Sequence, residues 1–286
     1  MRTLLIARLT ILEALRRRLL WALVILTLVV VGLTGLGFNL VVDSARDRGV
    51  RELELIVGIS QLLILVAFMF SFVLAITAAF LGAPAIATDL DSGVLLAIVA
   101  RPIRRADIVL GKWLGLSAIV LGYSLASGLL EVQVVRWITG YGPPDPLAAS
   151  LYLGAQAIVL LTVALLFSTR LPAIAGGAVA VVLFGVSWMT GVLASVATAL
   201  GLDEVASTMD ATRFIVPLDG LWRGTIFALE PSAALVILSG GGGPDPQTQG
   251  PFHALSGPEP TFLLYVVVWL AVVLGLAVFS FARREV

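Results

Sequence analysis

Long runs of apolar residues without charge alternate with short polar segments along this chain. A helix needs about 20 apolar residues to cross roughly 30 Å of hydrocarbon, and six of these runs reach or approach that length. The pattern therefore predicts six membrane-spanning helices, at residues 19–42, 58–86, 108–131, 147–168, 172–199 and 261–282. The second run, residues 55–88, would be roughly 50 Å long as one helix, so Gly82 and Pro84 favour a break near its end.

Residues 1–18 combine basic and apolar side chains at helical spacing. Their polar positions fall mostly on one arc, which is typical of a helix that lies in the membrane interface. A basic flank that orients the first span explains the same residues equally well. We expect the first apolar run to be retained as a membrane helix because it is too long for the core of a cleaved signal peptide.

A polar and basic segment at residues 88–107 separates the second span from the third. It encloses seven apolar residues, 94–100, which extend only about 10 Å as a helix and cannot cross a bilayer. Ser92 is suited to cap the start of this helix, and Arg101-Pro102 is suited to end it, because the residue before a proline avoids helical angles. We expect one side of this short helix to pack on the membrane helices and another protein to cover the rest.

Residues 203–260 form the longest segment between two predicted spans. Asp219 is suited to cap a helix that stops before Pro231, with Trp222 on its apolar face and Arg223 on the opposite face. Asp219 and Arg223 are four residues apart, a spacing at which helical side chains pair. We predict an amphipathic helix on or in the outer leaflet, with Trp222 at headgroup depth.

The composition places the chain among integral membrane proteins. Of its 286 residues, 59% are hydrophobic and 13% are charged, about half the charged share of an average soluble domain. The formal net charge is zero, which gives no electrostatic basis for a nucleic-acid partner. The predicted fold is an all-α membrane protein in which residues 1–286 form a single transmembrane domain in the lipid bilayer.

Basic residues are distributed unevenly between the two sides of the predicted membrane. Twelve of the 18 Lys and Arg residues fall on the side of the two termini, whereas 13 of the 18 acidic residues fall on the opposite side. Because cytoplasmic loops carry an excess of Lys and Arg, we expect a multi-pass protein of the cell membrane with cytoplasmic N- and C-termini.

Residues suited to catalysis or metal binding are scarce. The chain has no cysteine, and its one histidine, His253, lies in a proline- and glycine-rich segment where we expect it to be solvated. The glycines at 240–243 and the pair Gly111-Lys112 lack the other residues of a phosphate-binding loop. We therefore expect this chain not to be an enzyme and to hold no metal or cofactor.

Polar residues in or near the predicted spans are few. Gln61 and Gln156 are expected to form hydrogen bonds between helices. Glu131 and Arg136, at the outer end of the third span, fit either interfacial residues that reach water or a functional role. Ion-coupled carriers place charges inside their spans, so the uncharged runs disfavour an autonomous carrier.

Ten residues in and beside the segment 88–107 follow an order of two acidic residues, Ser-Gly, an apolar stretch, Arg-Pro, basic residues and Gly-Lys. They are Asp89, Asp91, Ser92, Gly93, Arg101, Pro102, Arg104, Arg105, Gly111 and Lys112. This order resembles the cytoplasmic loop after the second span in the membrane subunits of type 2 ATP-binding-cassette (ABC) exporters. The chain departs from that family in having aspartates where glutamates are commoner and Val94 where threonine is usual.

The resemblance implies that the apolar stretch is a coupling helix that docks in a separate ABC ATPase subunit, with Leu95 and Ile98 in the contact. It also implies that ATP and Mg bind that ATPase and that a second permease copy, identical or different, completes the pathway. This chain would then be the permease subunit of an ATP-driven exporter. The alternative is an ATPase-coupled membrane scaffold or maturation factor that acts on an outer-face partner without moving solute.

Overall fold

The computed structural model describes residues 2–16, 18–92, 104–231 and 251–284, and the regular elements in these ranges are helices. In chain order they are α1 (Arg2–Arg16), α2 (Arg18–Asp47), α3 (Glu52–Gly82), α4 (Pro84–Asp91), α5 (Arg105–Thr139), α6 (Pro146–Ser168), α7 (Ala173–Ala199), α8 (Asp203–Ala211), a 3-10 turn (Thr212–Phe214), α9 (Leu218–Leu229) and α10 (Pro260–Ala282).

Six of these elements are long and apolar enough to cross a bilayer: α2, α3 with α4, α5, α6, α7 and α10. The shortest, α6 and α10, have 23 residues each and are therefore about 35 Å long, more than the roughly 30 Å of a hydrocarbon core. The prediction of an all-α membrane protein with six spans is confirmed.

Helix α6 lies at the centre of the bundle and contacts α3, α5, α7, α9 and α10. It is apolar around most of its circumference, as expected for a helix surrounded by others, and Leu160 and Leu161 are at most 1% exposed. Small residues allow the close approach: a Cβ at Gly82 of α3 would lie 2.9 Å from the Cβ of Ala164. Substitution of Gly82 would therefore push α3 away from α6.

Gln156 connects three helices inside this core. Its Oε1 accepts a hydrogen bond from Ser71 Oγ of α3 at 2.5 Å, and its Nε2 donates to the carbonyl of Leu218 of α9 at 3.3 Å. The side chain is buried, so both bonds replace water that the amide loses on folding. The predicted interhelical role of Gln156 is confirmed.

The junction between α3 and α4 keeps helical geometry. Ala83 has φ −62° and ψ −42°, and its N–H donates to the carbonyl of Ala79 at 2.9 Å. Pro84 begins α4, where its missing N–H removes one helical bond. The break expected at Gly82 and Pro84 is thus a one-residue junction, and α4 continues the second span towards the polar segment.

Helix α9 packs among α6, α7 and α3. Trp222 is 3% exposed and its Nε1 donates to the carbonyl of Pro251 at 3.0 Å, so protein rather than lipid covers this side chain, and its position at headgroup depth stays a prediction. Pro217 occupies the N-cap position of α9, and Asp219 lies inside the helix and caps no backbone N–H. The prediction that Asp219 caps this helix is therefore wrong. Asp219 Oδ2 instead accepts from Arg223 Nε at 2.9 Å. The apolar face of α9 is covered by protein rather than by lipid.

His253 lies beside a buried carboxylate. Its Nδ1 donates to Glu230 Oε1 at 2.7 Å, and the side chain of Glu230 is 1% exposed. The N–H of Ala254 and the Nε2 of Gln61 also donate to this carboxylate, each at 3.2 Å. The expectation of a solvated His253 is therefore wrong, and Gln61 connects α3 to Glu230 at the end of α9 rather than to another span.

Candidate functional site

The structure describes both ends of the polar segment but not residues 93–103. Five predicted partner contacts lie outside the described residues and stay predictions: Gly93, Leu95, Ile98, Arg101 and Pro102. Ser92 ends α4, with its N–H donating to the carbonyl of Thr88 at 3.0 Å. The helix that Ser92 was predicted to begin falls in the undescribed range. We call the described elements on either side of this range, α4, the start of α5 and the end of α10, the platform.

A salt bridge joins α4, which precedes residues 93–103, to α5, which follows them. Lys112 Nζ of α5 contacts Asp89 Oδ2 of α4, and it also donates to the carbonyl of Ala85. The side chains are only 13% and 24% exposed, so the pair is largely shielded from water. Removing either partner would leave a shielded charge without compensation, which costs more than losing a surface pair. Helix α4 is thereby fixed to the second turn of α5.

Arg105, the first residue of α5, holds the end of α10. Its Nη1 donates to the carbonyls of Phe281, Ala282 and Arg284 at 3.0, 3.1 and 2.6 Å. Carbonyls in and just after the last turn of a helix lack partners within the helix, so Arg105 caps α10 from a neighbouring element. The guanidinium also lies 5.7 Å from the centroid of the Phe281 ring, within the range of a cation–π contact.

The connection between α6 and α7 joins the same network. Arg284 Nη1 donates to the carbonyl of Thr169 at 2.6 Å. Arg170 donates through Nε to Ser280 Oγ and through Nη2 to the carbonyl of Ser280, both at 3.0 Å. The end of α10 is therefore held from two sides, by the start of α5 and by the residues that follow α6.

Helix α1 covers the start of α5. Thr3 Oγ1 donates to Asp107 Oδ1 at 2.7 Å. A Cβ at Gly111 would lie 2.7 Å from the Cβ of Ile6 and 2.8 Å from the carbonyl of Thr3, so only glycine permits this approach. Gly111 is buried beneath α1 and presents no surface to a partner in this structure. This corrects its assignment as a docking contact; its role here is to allow helix packing.

A small apolar core lies under these polar contacts. It gathers residues from α4, α5, α6 and α10: Ile86, Ile108, Val109, Leu165, Leu274, Ala277 and Phe281. All are at most 8% exposed. Because close-packed interiors transmit displacement rather than absorb it, a force on α4 or the start of α5 would reach α6 and α10.

The described members of the predicted site divide into two groups. Asp91, Ser92 and Arg104 are exposed at the two ends of the undescribed range, where another protein can reach them. Asp89, Arg105 and Lys112 are partly buried and bond to the chain itself. The first group forms a rim, and the second group holds that rim to the bundle.

Sequence reasoning missed several residues of this platform. Thr3 and Asp107 are 104 positions apart, and Arg105 and Phe281 are 176 apart, so no local spacing connects them. The sequence did give one general indication: Arg105, Arg170 and Arg284 are all predicted on the side of the membrane that carries the termini. Because the last carbonyls of a helix lack partners within the helix, arginines on that side could have been predicted to cap helix ends there.

Comparison with protein families agrees with this architecture. The family model for ABC-2 family transporter proteins matches residues 4–286, nearly the whole chain. A search of curated proteins found no match to this chain. Membership implies association with ABC ATPase partners and with the membrane. The chain therefore belongs to the ABC-2 family of transporter proteins and is a multi-pass permease component of an ABC transporter.

Proposed function

We propose that this chain is the permease subunit of an ATP-driven exporter in which residues 93–103 form a coupling helix docked on a separate ATPase subunit. The observation that supports this most directly is the salt bridge between Asp89 and Lys112. It joins α4, which precedes the 11 residues 93–103, to the second turn of α5, which follows them, and a segment of this length is too short to cross a membrane. Because these two helices are joined, a push or pull on the segment between them would move them together.

The distribution of charge supports a cytoplasmic position for this platform. The end of the bundle that contains the starts of α1 and α5 and the end of α10 carries most of the basic residues. Under the positive-inside rule this end faces the cytoplasm, and both termini lie there. ATP and Mg would bind the partner ATPase on that side. This chain would supply no catalytic group to the hydrolysis.

The packing suggests how motion passes into the membrane. Force on residues 93–103 would act on α4 and α5 through Asp89 and Lys112, and on α10 through Arg105. Both routes meet at α6, where Leu165 belongs to the same apolar core as Ile86. Rearrangement of packed helices between two discrete arrangements is a known form of transporter switching.

A second copy of the permease, identical or different, would complete the pathway. Helix α2 is the least buried span, and Leu33, Leu36 and Leu40 are each more than 60% exposed. Exposed apolar surface of this extent is suited to lipid or to another helix bundle. The exposed face of α2 thus supports a dimer without identifying its partner.

Recovery of the ATPase from detergent tests the docking. We expect Leu95→Asp and Ile98→Asp to lose most of the ATPase that co-purifies with the wild-type chain, because a buried aspartate is costly in an apolar contact. Val205→Asp is a matched control, since Val205 is 46% exposed on α8, away from the platform. Undiminished recovery with both variants would contradict docking through this segment.

Transport separates the exporter from the scaffold. Vesicles that contain the permease and its ATPase should accumulate labelled cargo only when ATP is supplied on the side of the platform. A complex that hydrolyses ATP and retains the docking contact, yet moves none of a broad panel of cargoes, would favour the scaffold or maturation role instead.

A further inference from the structure

An apolar groove opens on the side of the bundle between α2, α3, α5 and α6. Its empty volume, counting the open mouth, is about 940 Å³. Leu26, Val30, Val66, Met69 and Phe70 line it, and Leu229 of α9 contributes as well. Apart from Leu229, its lining belongs to helices long enough to span a membrane, so the groove runs along the membrane-spanning helices, with Glu131 at the predicted outer end of the third span. A ligand could therefore enter it from the bilayer.

Two pairs of polar side chains connect α2 and α5 along this groove. Thr27 Oγ1 lies 2.5 Å from Tyr123 Oη, and Thr34 Oγ1 donates to Glu131 Oε1 at 2.6 Å. Thr27 and Thr34 are seven residues apart on α2, and Tyr123 and Glu131 are eight apart on α5. The two pairs are therefore about 10–12 Å apart along the helices. The groove is therefore mainly hydrocarbon in character, with a hydroxyl pair at one level and a carboxylate at another.

Glu131 has few partners for a carboxylate in a membrane-spanning helix. Among the residues that the structure describes, Thr34 donates to it and it forms no ion pair. A partly buried carboxylate beside an apolar surface is costly unless it is protonated or meets a cation or several donors. The groove thus contains an acceptor site next to an apolar surface that could hold a hydrocarbon chain.

We infer that this groove binds an amphipathic amine: a single hydrocarbon chain that lies against Val30, Val66, Met69 and Phe70, with its ammonium group at Glu131. Charge complementarity selects this occupant over a fatty acid, whose carboxylate would be repelled, and over a neutral chain, which would leave the acceptor unused. Binding requires only the permease chain. A role for the groove in carrying cargo rests, in addition, on the proposed exporter function.

Photolabelling of the full-length chain in phosphatidylcholine nanodiscs tests the inference without any ATPase. Three probes share a dodecyl chain with a diazirine at the methyl end and differ only in the head: amine, alcohol or carboxylate. We expect the amine to label groove residues of α3 most strongly, with the alcohol next and the carboxylate last. Glu131→Gln should reduce labelling by the amine about tenfold and bring it to the level of the alcohol.

Two further variants keep the outcome interpretable. Glu52→Gln removes a carboxylate at the start of α3 that does not line the groove, and it should leave the order of the probes unchanged. Val30→Trp, at a position that is 36% exposed, should fill the groove and reduce labelling by all three probes. Equal labelling by the three heads, or an amine preference that survives Glu131→Gln, would overturn the inference.

Two other labelling patterns would also overturn the inference. Label concentrated on fully lipid-exposed positions such as Ile174, which is 90% exposed, would show partition into bulk lipid and no site. Absence of groove labelling by every probe, together with cross-links between two chains across α2, would show that a second copy fills the groove. Both results overturn the inference while leaving recovery of the ATPase, and hence the proposed function, untouched.

Discussion

Lys112 of α5 reaches across the ends of the polar segment to Asp89 of α4, although 23 positions separate them in the sequence. The same ammonium group donates to the carbonyl of Ala85, one residue after the proline that begins α4. One cation therefore fixes the last part of the second span to the first part of the third. This contact joins the two helices that border the segment through which a partner subunit would act.

Breaking this salt bridge should uncouple the partner more than it destabilises the permease. We expect Lys112→Met and Asp89→Asn each to lower the free energy of unfolding in detergent by about 1–3 kcal/mol, because the remaining group is shielded from water. ATP-driven activity should fall further than stability does. In a double-mutant cycle the combined variant should lose less than the sum of the two single changes. Strict additivity would show that the two residues do not interact.

Adding one methyl group at Gly115 of α5 should push α1 away from α5. A Cβ at Gly115 would lie 2.7 Å from the carbonyl of Ala7, which is backbone and cannot move alone. We expect Gly115→Ala to lower the free energy of unfolding by about 1–3 kcal/mol and to expose α1 to protease. Gly122→Ala, on the same helix with nothing within 4 Å of the added atom, should be neutral or stabilising by up to about 1 kcal/mol. Equal behaviour of the two variants would contradict this packing.

Arg105 should be replaceable by lysine but not by glutamine. One nitrogen, Nη1, reaches all three carbonyls at the end of α10, which share its two N–H groups, and a lysine ammonium has three N–H groups to offer them. We expect Arg105→Gln to speed amide hydrogen exchange in the last turn of α10 by about tenfold or more, since it loses the charge and most of the donors. Arg105→Lys should show a smaller increase. Similar exchange in both variants would show that guanidinium geometry, rather than charge, is required.

Tyr141, in the turn between α5 and α6, should make stability depend on pH in the alkaline range. Burial, with a further contribution from the Glu230 carboxylate, raises the pKa of Tyr141 above its ordinary value of 10.0. Its hydroxyl donates to the carbonyl of Leu229 at 2.7 Å, so the folded state favours the protonated form. The unfolded chain ionises above about pH 10 while the folded chain does not, and the stability contributed by this group is lost as pH rises.

Comparison with Tyr141→Phe isolates that effect. The stability difference between wild type and variant should be constant up to about pH 9 and should then fall by up to about 1.4 kcal/mol for each pH unit above 10. Unfolding in denaturant between pH 8 and pH 11 measures it. A difference that stays constant across this range would show that Tyr141 titrates normally in the folded protein.

The six spans could be predicted from sequence because their signal is local. A run of apolar residues long enough to cross a bilayer can be recognised without knowledge of its neighbours. The third span was predicted to end at residue 131, whereas α5 continues to Thr139 and stops at Gly140, whose φ of 74° suits glycine. Helix α9 was predicted as a helix from a local pattern as well. The surroundings of α9 could not be predicted: Trp222 has the character of an interfacial residue, but only the fold shows that it packs against Phe68 of α3 and bonds to Pro251.

The platform illustrates the other limit of sequence reasoning. The residue types at Asp89 and Lys112 were singled out for a partner contact, and the structure shows that they bond to each other. A polar residue near a predicted interface can contact the partner protein directly or can bond to its own chain and hold the contacting residues in position. The periodicity of the sequence does not distinguish these two roles. His253 shows the same ambiguity, since its partner Glu230 lies 23 positions away.

The central claim is that residues 93–103 face the cytoplasm and are covered by an ATPase subunit. Because the chain has no cysteine, a single introduced cysteine reports on one position alone. Val205→Cys on α8 serves as the control for the opposite side of the membrane. Ile98→Cys is treated with a membrane-impermeant thiol reagent in inside-out and in right-side-out vesicles, with and without the ATPase. The labelling shows on which side of the membrane residue 98 lies and whether the ATPase covers it.

The account predicts that Ile98→Cys is labelled only in inside-out vesicles and that bound ATPase protects it at least tenfold, while Val205→Cys is labelled only in right-side-out vesicles and is not protected. Labelling of Ile98→Cys from the outer side, or labelling at the same rate with and without the ATPase, would contradict it.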